Sequence, residues 1–319
     1  MKSQIDPGIL KELPGSPNEY TFPHRSLFSF TSFGSTMQIN RLDKPTYFLK
    51  LASSQHLVQG EYNALKYISA AVPGFCPEPV AIGRCESSPN KYFVVSTFLN
   101  ELHHGGGADF ERKLARKVAA MHTARPQSQV YGLPSGEPTC CGSTELFNQP
   151  TTSWSEFFTI HRLRFICDEN ARQNGFDSTM NRLVNLVIEK AVPALLEAVK
   201  SSPSLIHGDL WRGNVGSIRI PDSNNPTTYV EEPVIYDSCA YYADSEFELG
   251  IMKMFGGFSS VFWDEYHTLV PKKEPVRDYD DRLRLYQAFH ELNHSAMFGG
   301  GGYDLQAKAS LRYILAKFE

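Results

Sequence analysis

The spacing of apolar residues changes near residue 100. Between residues 21 and 95 short alternating segments predict strands at Leu27–Phe30, Gln38–Arg41, Tyr47–Leu51 and Tyr92–Val95. Between the last two, Ala64, Leu65 and Ile68 recur three and four residues apart, which predicts one helix around Glu61. Beyond the flexible run His103-His104-Gly105-Gly106-Gly107 the pattern is mostly helical. Phe110, Leu114, Val118 and Met121 form one stripe; Trp154–Phe165 and Met180–Val199 read as two more helices, with Pro193 kinking or restarting the latter. Residues 1–20 read as a polar lead. The pattern predicts an α+β chain of two lobes: a small N-lobe with a mixed β-sheet over residues 1–99 and a large, mainly helical C-lobe over 100–319.

Composition sets few further limits. The chain has 319 residues, 41% apolar and 12% aromatic, enough for one large or two medium cores. A net charge of −4 provides no footprint for nucleic acid or an acidic membrane. No run of 18 apolar residues occurs, and the start of the chain does not read as a signal peptide. Six cysteines without zinc spacing read as reduced thiols, with Cys140-Cys141 a packed pair. A cytoplasmic protein, monomer or weak dimer, is expected.

The chemistry is concentrated in His207-Gly208-Asp209-Leu210-Trp211-Arg212-Gly213-Asn214. The run follows the H-x-D-L-x-x-x-N spacing of the protein-kinase catalytic loop, in which Asp is the base and Asn a magnesium ligand. Val234-Ile235-Tyr236-Asp237 ends in a second carboxylate suited to the same ion, although no Phe-Gly follows it. A loop from Pro221 to Glu232 is expected to join Ser217–Ile220 to Val234–Tyr236 as a hairpin. Upstream, Lys50 ends an apolar strand and Glu61 stands eleven residues on, a pair able to hold phosphate charge. His207 reads as a structural imidazole, and His122 as a cap at the end of its helix.

Segments in order carry a family likeness. They include Thr139-Cys140-Cys141-Gly142, Trp154 with Phe157-Phe158, Leu205 to Asn214, Pro233 to Asp237 and Tyr241 to Glu246. The C-terminal set is Gly256-Gly257-Phe258, Phe262 to Tyr266, Arg282 to Gln287, Leu292-Asn293-His294 and Phe298 to Gly301. On these residues the chain resembles the fructosamine-3-kinase (ketosamine-3-kinase) family, a branch of the protein-kinase-like fold. The resemblance implies ATP and Mg2+ as cofactors and ketosamine adducts on lysine, ribulosamine or fructosamine, as acceptors. It further implies that phosphorylation of the 3-hydroxyl destabilises the adduct, a deglycation or repair activity. Asp209 is then the base, Asn214 and Asp237 the metal ligands, and Lys50, braced by Glu61, the phosphate clamp. Ser96, Thr97 and Phe98 would meet adenine, largely through backbone groups, and Ser32, Ser35 and Thr36 would add hydroxyls near phosphate. Trp211, Asp244, Asn293 and His294 are candidates on the acceptor side.

The chain departs from the family in three places. Phe30-Thr31-Ser32-Phe33-Gly34-Ser35 has one glycine and no cysteine where a glycine-rich loop is usual. Ser238-Cys239-Ala240 replaces Pro-Ala-Ser, and Ala243-Asp244-Ser245-Glu246 replaces Gly-Asp-Arg-Glu. Trp211 reads either as a sugar platform or as a wedge in the loop. Asp244 and Glu246 read either as a helix start or as pocket residues, and Gly299–Gly302 as a tight turn or a sugar approach. Asp244, Glu246, Asp264 and Glu265 are expected to make the acceptor side acidic. Two other readings remain open: a kinase of another small hydroxylated metabolite, and a pseudokinase-like binding module.

Overall fold

The computed structural model describes residues 5–21, 29–31, 34–42, 44–126, 129–222, 225–299 and 301–318. The expected strand positions Leu27 and Phe28, the loop residues Ser32 and Phe33, and Gly300 lie outside them. Within the stretch read as a polar lead, Pro7–Glu12 form helix α1. Asp6 caps it by accepting the Gly8 N–H at 2.8 Å, and Pro7 stands at the first helical position, where its missing donor costs nothing. Ile5, Ile9 and Leu13 pack with Ile39, Leu49, Phe93 and Val95 of the sheet.

The sheet contains β1 (Tyr20–Thr21), β2 (Ser29–Thr31), β3 (Gly34–Arg41), β4 (Lys44–Ala52), β5 (Pro79–Arg84) and β6 (Tyr92–Thr97). Its order is β1-β3-β4-β6-β5, with β2 on β3, and every pairing is antiparallel rather than mixed. Short connections between β3 and β4 and between β5 and β6 allow only antiparallel neighbours. Helix α2 (Gln55–Ala71) crosses from β4 to β5, capped by Ser54 Oγ accepting the Leu57 N–H. It packs in two directions. Val58 meets Ala52 and Val94 of the sheet, whereas Ala64, Leu65 and Ile68 belong to the large core of the second lobe.

The second lobe begins with α3 (Gly107–Thr123), followed by the small hairpin β7 (Thr139–Cys141) and β8 (Thr144–Leu146). Helix α4 (Trp154–Phe158) continues through a π-helical stretch (Thr159–Arg164) into α5 (Phe165–Asn174). Helix α6 (Ser178–Leu186) continues through two further π stretches, the second starting at Pro193, so the proline restarts the helix as expected. Strand β9 (Ser204–Ile206) leads into the catalytic-loop sequence. A long hairpin follows, β10 (Val215–Asp222) and β11 (Asn225–Ile235), longer than expected because most of Pro221–Glu232 is strand. Strand β12 (Tyr241–Ala243) pairs with β9. Helices α7 (Ser245–Phe255), α8 (Ser260–Leu269), α9 (Tyr279–Phe298) and α10 (Tyr303–Leu315) complete the lobe. Gly299, left-handed at φ 59°, caps α9, and Gly302, left-handed at φ 76°, stands just before α10.

Phe247 on α7 anchors this core, its ring meeting Trp154, Phe158, Tyr286 and Phe289. His122 faces the same interior: its Nδ1 is 2.7 Å from the Tyr266 hydroxyl, so it does not cap α3. All six cysteines are free thiols, Cys140-Cys141 among them. His290 is fully buried with neither ring nitrogen hydrogen-bonded among the described residues. Burial, with His294 and Arg162 nearby, holds its pKa well below the usual 6.5. The folded state therefore keeps His290 neutral, while the unfolded chain takes up its proton below about pH 6.5. Its contribution to stability is present above that pH and is lost as pH falls. His290→Leu is expected to weaken the loss of stability between pH 7 and 5 by about 1–2 kcal/mol, measured by urea unfolding at both pH values.

Candidate active site

A cleft of about 790 Å3 opens between the sheet and the helical lobe. Side-chain alternation along β4 decides what faces it: Phe48 and Lys50 line the cleft, while Tyr47 and Leu49 enter the core. Lys50 Nζ lies 2.6 Å from Glu61 Oε2 and 3.6 Å from Asp237 Oδ1. Burial disfavours the ammonium, but the charges of Glu61 and Asp237 outweigh it and raise the Lys50 pKa. Glu61 behaves differently because it faces one cation and a second carboxylate. Burial raises its pKa, Lys50 pulls it back, and Asp237 pushes it further up.

The register of β3 on β4 separates two of the hydroxyl candidates. Thr36 stands opposite Lys50 and lines the cleft, whereas Ser35 stands opposite Leu51 and does not. Ser96, Thr97 and Phe98 do line the cleft. However, the N–H of Thr97 is donated to Glu78 O at 2.9 Å and that of Phe98 to Thr46 O at 3.0 Å. A base docked here meets side chains and carbonyls rather than those two N–H groups.

Across the cleft, the catalytic-loop sequence follows β9. His207 is buried between two backbone partners. Its Nε2 donates to Tyr236 O at 3.0 Å, and its Nδ1 accepts the Asp209 N–H at 3.2 Å. That pattern assigns the neutral tautomer, and burial lowers the His207 pKa in agreement. The imidazole therefore holds the loop and is already fully engaged. Gly208 has φ +87°, and a Cβ there would lie 2.5 Å from Cys239 Sγ, so only glycine fits.

Asp209 is half-buried at the cleft wall. Burial first, then the charge of Glu248, raise its pKa to about 7, against a lowering hydrogen bond from Asn214. Asn214 Nδ2 donates to Asp209 O at 2.9 Å and to Asp209 Oδ2 at 3.2 Å. The antiparallel register sets Val215 opposite Ile235, so Asn214 and Asp237 flank one end of the same hairpin. Asp237 has a left-handed backbone, φ 56°, and its side chain is 54% exposed. Asn214 spends its amide nitrogen on Asp209, which leaves its carbonyl oxygen for another partner. An amide oxygen and a carboxylate are hard donors. They fit Mg2+, which takes one or two protein ligands and completes its shell with phosphate oxygens and water.

Several acceptor-side candidates fall elsewhere. Asp244 is buried, caps α7 through the Glu246 N–H and pairs with Lys273 at 2.7 Å. Glu246 pairs with buried Arg282 at 2.7 Å, and Glu265 with Arg116 at 2.6 Å. Asp264 lines a separate concavity with Lys253 and Lys272. None of these four carboxylates is among the described residues lining the cleft: Asp244, Glu246 and Glu265 serve a cap and ion pairs, and Asp264 faces the other concavity. Asn293 and His294 lie within α9 rather than after it. Asn293 is fully buried against Cys141, and His294 packs between Phe255, Phe298 and Tyr303. Trp211 does line the cleft, 39% exposed, with its ring 5.5 Å from that of Phe255.

In the sequence Glu248 reads only as part of the acidic start of α7, with Asp244 and Glu246. Its carboxylate accepts the N–H of His207 and, at 3.1 Å, that of Gly208. A buried charge needs fixed donors, and these two amides supply them.

The chain matches the fructosamine kinase family model over residues 24–317. It belongs to the fructosamine kinase family. A protein of Synechocystis named as a probable ketoamine kinase is 34% identical over 84% of this chain and 83% of its own. The rice protein-ribulosamine 3-kinase, chloroplastic, is 30% identical over 84% of this chain and 72% of its own. Mouse ketosamine-3-kinase is 37% identical over 51% of this chain and 48% of its own. In fold, the chain superposes on a candidate fructosamine-3-kinase from Thermobifida fusca with TM-score 0.78 at 19% identity, covering 97% of each chain. The aminoglycoside phosphotransferase APH(4)-Ia gives 0.59 at 16% identity, over 93% of this chain and 94% of its own. The protein is thus a phosphotransferase with an alcohol acceptor, on a protein-kinase-like fold.

Glu248→Ala would leave two buried amides unpaired, at about 1–3 kcal/mol each. It is expected to lower the melting temperature and turnover together. Glu248→Gln, which keeps one acceptor oxygen, should lose clearly less of both.

Proposed function

We propose that this chain is an ATP-dependent ketosamine 3-kinase that phosphorylates the 3-hydroxyl of ribulosamine, and of fructosamine to a lesser degree, on lysine amines. Residues 1–99 form the ATP lobe in this reading, and residues 100–319 carry the catalytic and acceptor parts. The observation that carries it is the convergence of Lys50–Glu61, Asp209 and the Asn214–Asp237 pair on one cleft.

Each residue has a definite task. Lys50, kept cationic by two carboxylates, neutralises phosphate charge. Asp209 takes the proton of the acceptor hydroxyl as that oxygen bonds to the terminal phosphorus and the bond to the leaving ADP breaks. With a pKa of about 7 it is about half deprotonated at neutral pH and becomes fully able to accept that proton as pH rises. Asn214 holds Asp209 while its carbonyl oxygen, with the Asp237 carboxylate, would hold Mg2+. When bound, that ion neutralises charge on the phosphates. Trp211 narrows the acceptor side, which favours a five-carbon over a six-carbon sugar. The names of the rice and mouse relatives support a ketosamine acceptor. The product phosphate would weaken the adduct and free the amine, a repair activity suited to the cytoplasm.

The deciding assay offers ATP with ribulosamine, fructosamine, choline and an aminoglycoside. Phosphorylation of the ketosamines, with higher kcat/KM for ribulosamine on the same lysine derivative, is expected. Transfer to choline or the aminoglycoside instead would overturn the assignment. Asp209→Asn should cut turnover by about 100-fold or more while nucleotide binding survives. Asp237→Ala should abolish the thermal protection that Mg-ATP gives the wild-type protein, read by differential scanning fluorimetry.

A further inference from the structure

Gly60 occupies the middle of α2, although glycine is a poor helix former. Its surroundings explain it. A Cβ at position 60 would lie 3.1 Å from the Cα of Thr139 and 3.4 Å from Pro138 O. The backbone of β7 rests directly on the helix, one residue before Glu61. The contact extends along a stripe. Asn63 Nδ2 donates to Glu137 Oε1 at 2.9 Å, and the Tyr67 hydroxyl reaches the same oxygen at 3.4 Å. His56 Nδ1 lies 2.9 Å from Glu145 Oε2 on β8. Residues 56, 60, 63 and 67 are four, three and four apart, hence one face of the helix.

The hairpin's other side is fixed to the helical lobe. Asn148 donates to Thr139 Oγ1 at 3.0 Å and accepts from Arg162 at 2.6 Å. Arg162, fully buried in the π-helical stretch, also donates to Phe147 O at 2.9 Å and to the Tyr241 hydroxyl at 3.0 Å. At the tip, the Asn293 amide lies 3.4 Å from Cys141 Sγ, which faces the Gly208 carbonyl of the catalytic loop. One rigid element thus touches the Glu61 helix at one end and the Asp209 loop at the other.

We propose that the β7–β8 hairpin is a positioning strut, with Gly60 the positioning residue that seats α2 on it and so keeps Glu61 against Lys50. The inference deepens the kinase reading, and its measurement is nucleotide affinity, which needs no acceptor. Mg-ATP binding is measured by calorimetry on the full chain for Gly60→Val, the smaller step Gly60→Ala, Glu61→Gln and the double variant Gly60→Val/Glu61→Gln. Gly60→Val is expected to weaken binding about five-fold or more, Gly60→Ala less. Because Gly60 acts through Glu61, the double variant should bind no more weakly than the worse single one. Additive losses, or unchanged affinity in Gly60→Val, would overturn the proposal. Should Gly60→Val fail to fold, Asn63→Ala, which removes the hydrogen bond to Glu137, takes its place in the same cycle with the same two outcomes. A wild-type protein that binds Mg-ATP but phosphorylates no ketosamine would remove the assigned acceptor and leave this test to be judged on its own.

Discussion

Burying an ammonium in a cleft wall requires an anion beside it. Lys50 has two, and most of the architecture serves to keep them there. Glu61 is carried by a helix with one apolar edge in the sheet core and another in the helical-lobe core. Asp237 is carried by the end of the β10–β11 hairpin, two residues past Ile235. The two carboxylates that hold one lysine thus come from opposite sides of the cleft. Closure of the lobes and the charge state of Lys50 are two views of the same constraint.

The opposite wall is built largely from backbone hydrogen bonds. His207 bridges Tyr236 and Asp209, Glu248 gathers two amides, and the Cys239 N–H is donated to His207 O at 2.9 Å. None of these contacts touches the acceptor. They hold a short loop in a shape that two left-handed residues, Gly208 and Asp237, make possible. Asp209 can therefore sit half-buried beside other acids with its orientation set by Asn214 rather than by water.

Motif spacing made the catalytic loop, the Lys50–Glu61 pair and Asp237 legible, because phosphoryl transfer constrains which residues stand how far apart. Period alone located α2, α3, β3, β4 and β6, but not β1, β5, β7, β8, β9 or β12. Thr36 and Ser35 could not be told apart in the sequence because a one-residue change of register exchanges the faces of a strand, and register is a pairing property. Asn293, His294 and Asp244 carried polar side chains that suggest a pocket, yet tertiary packing spends them on a thiol, an aromatic cluster and a helix cap. Helix α1 had its signal in view: Asp6-Pro7, then Ile9 and Leu13 four residues apart. Its brevity and polar flanks hid it.

The contact between Gly208 and Cys239 also bears on how such an enzyme is governed. Protein kinases carry an arginine at this place in the loop, and their activation segments are ordered by pairs between arginine and a phosphorylated residue. Here the sulfur and the carbonyl of Cys239 fill the space a side chain would need. The loop has no guanidinium at that position to receive a phosphorylated segment, and a side chain there would collide with Cys239. The shape of the loop is held instead from within the chain, by the Glu248 carboxylate on its amides and by the packing of Cys239.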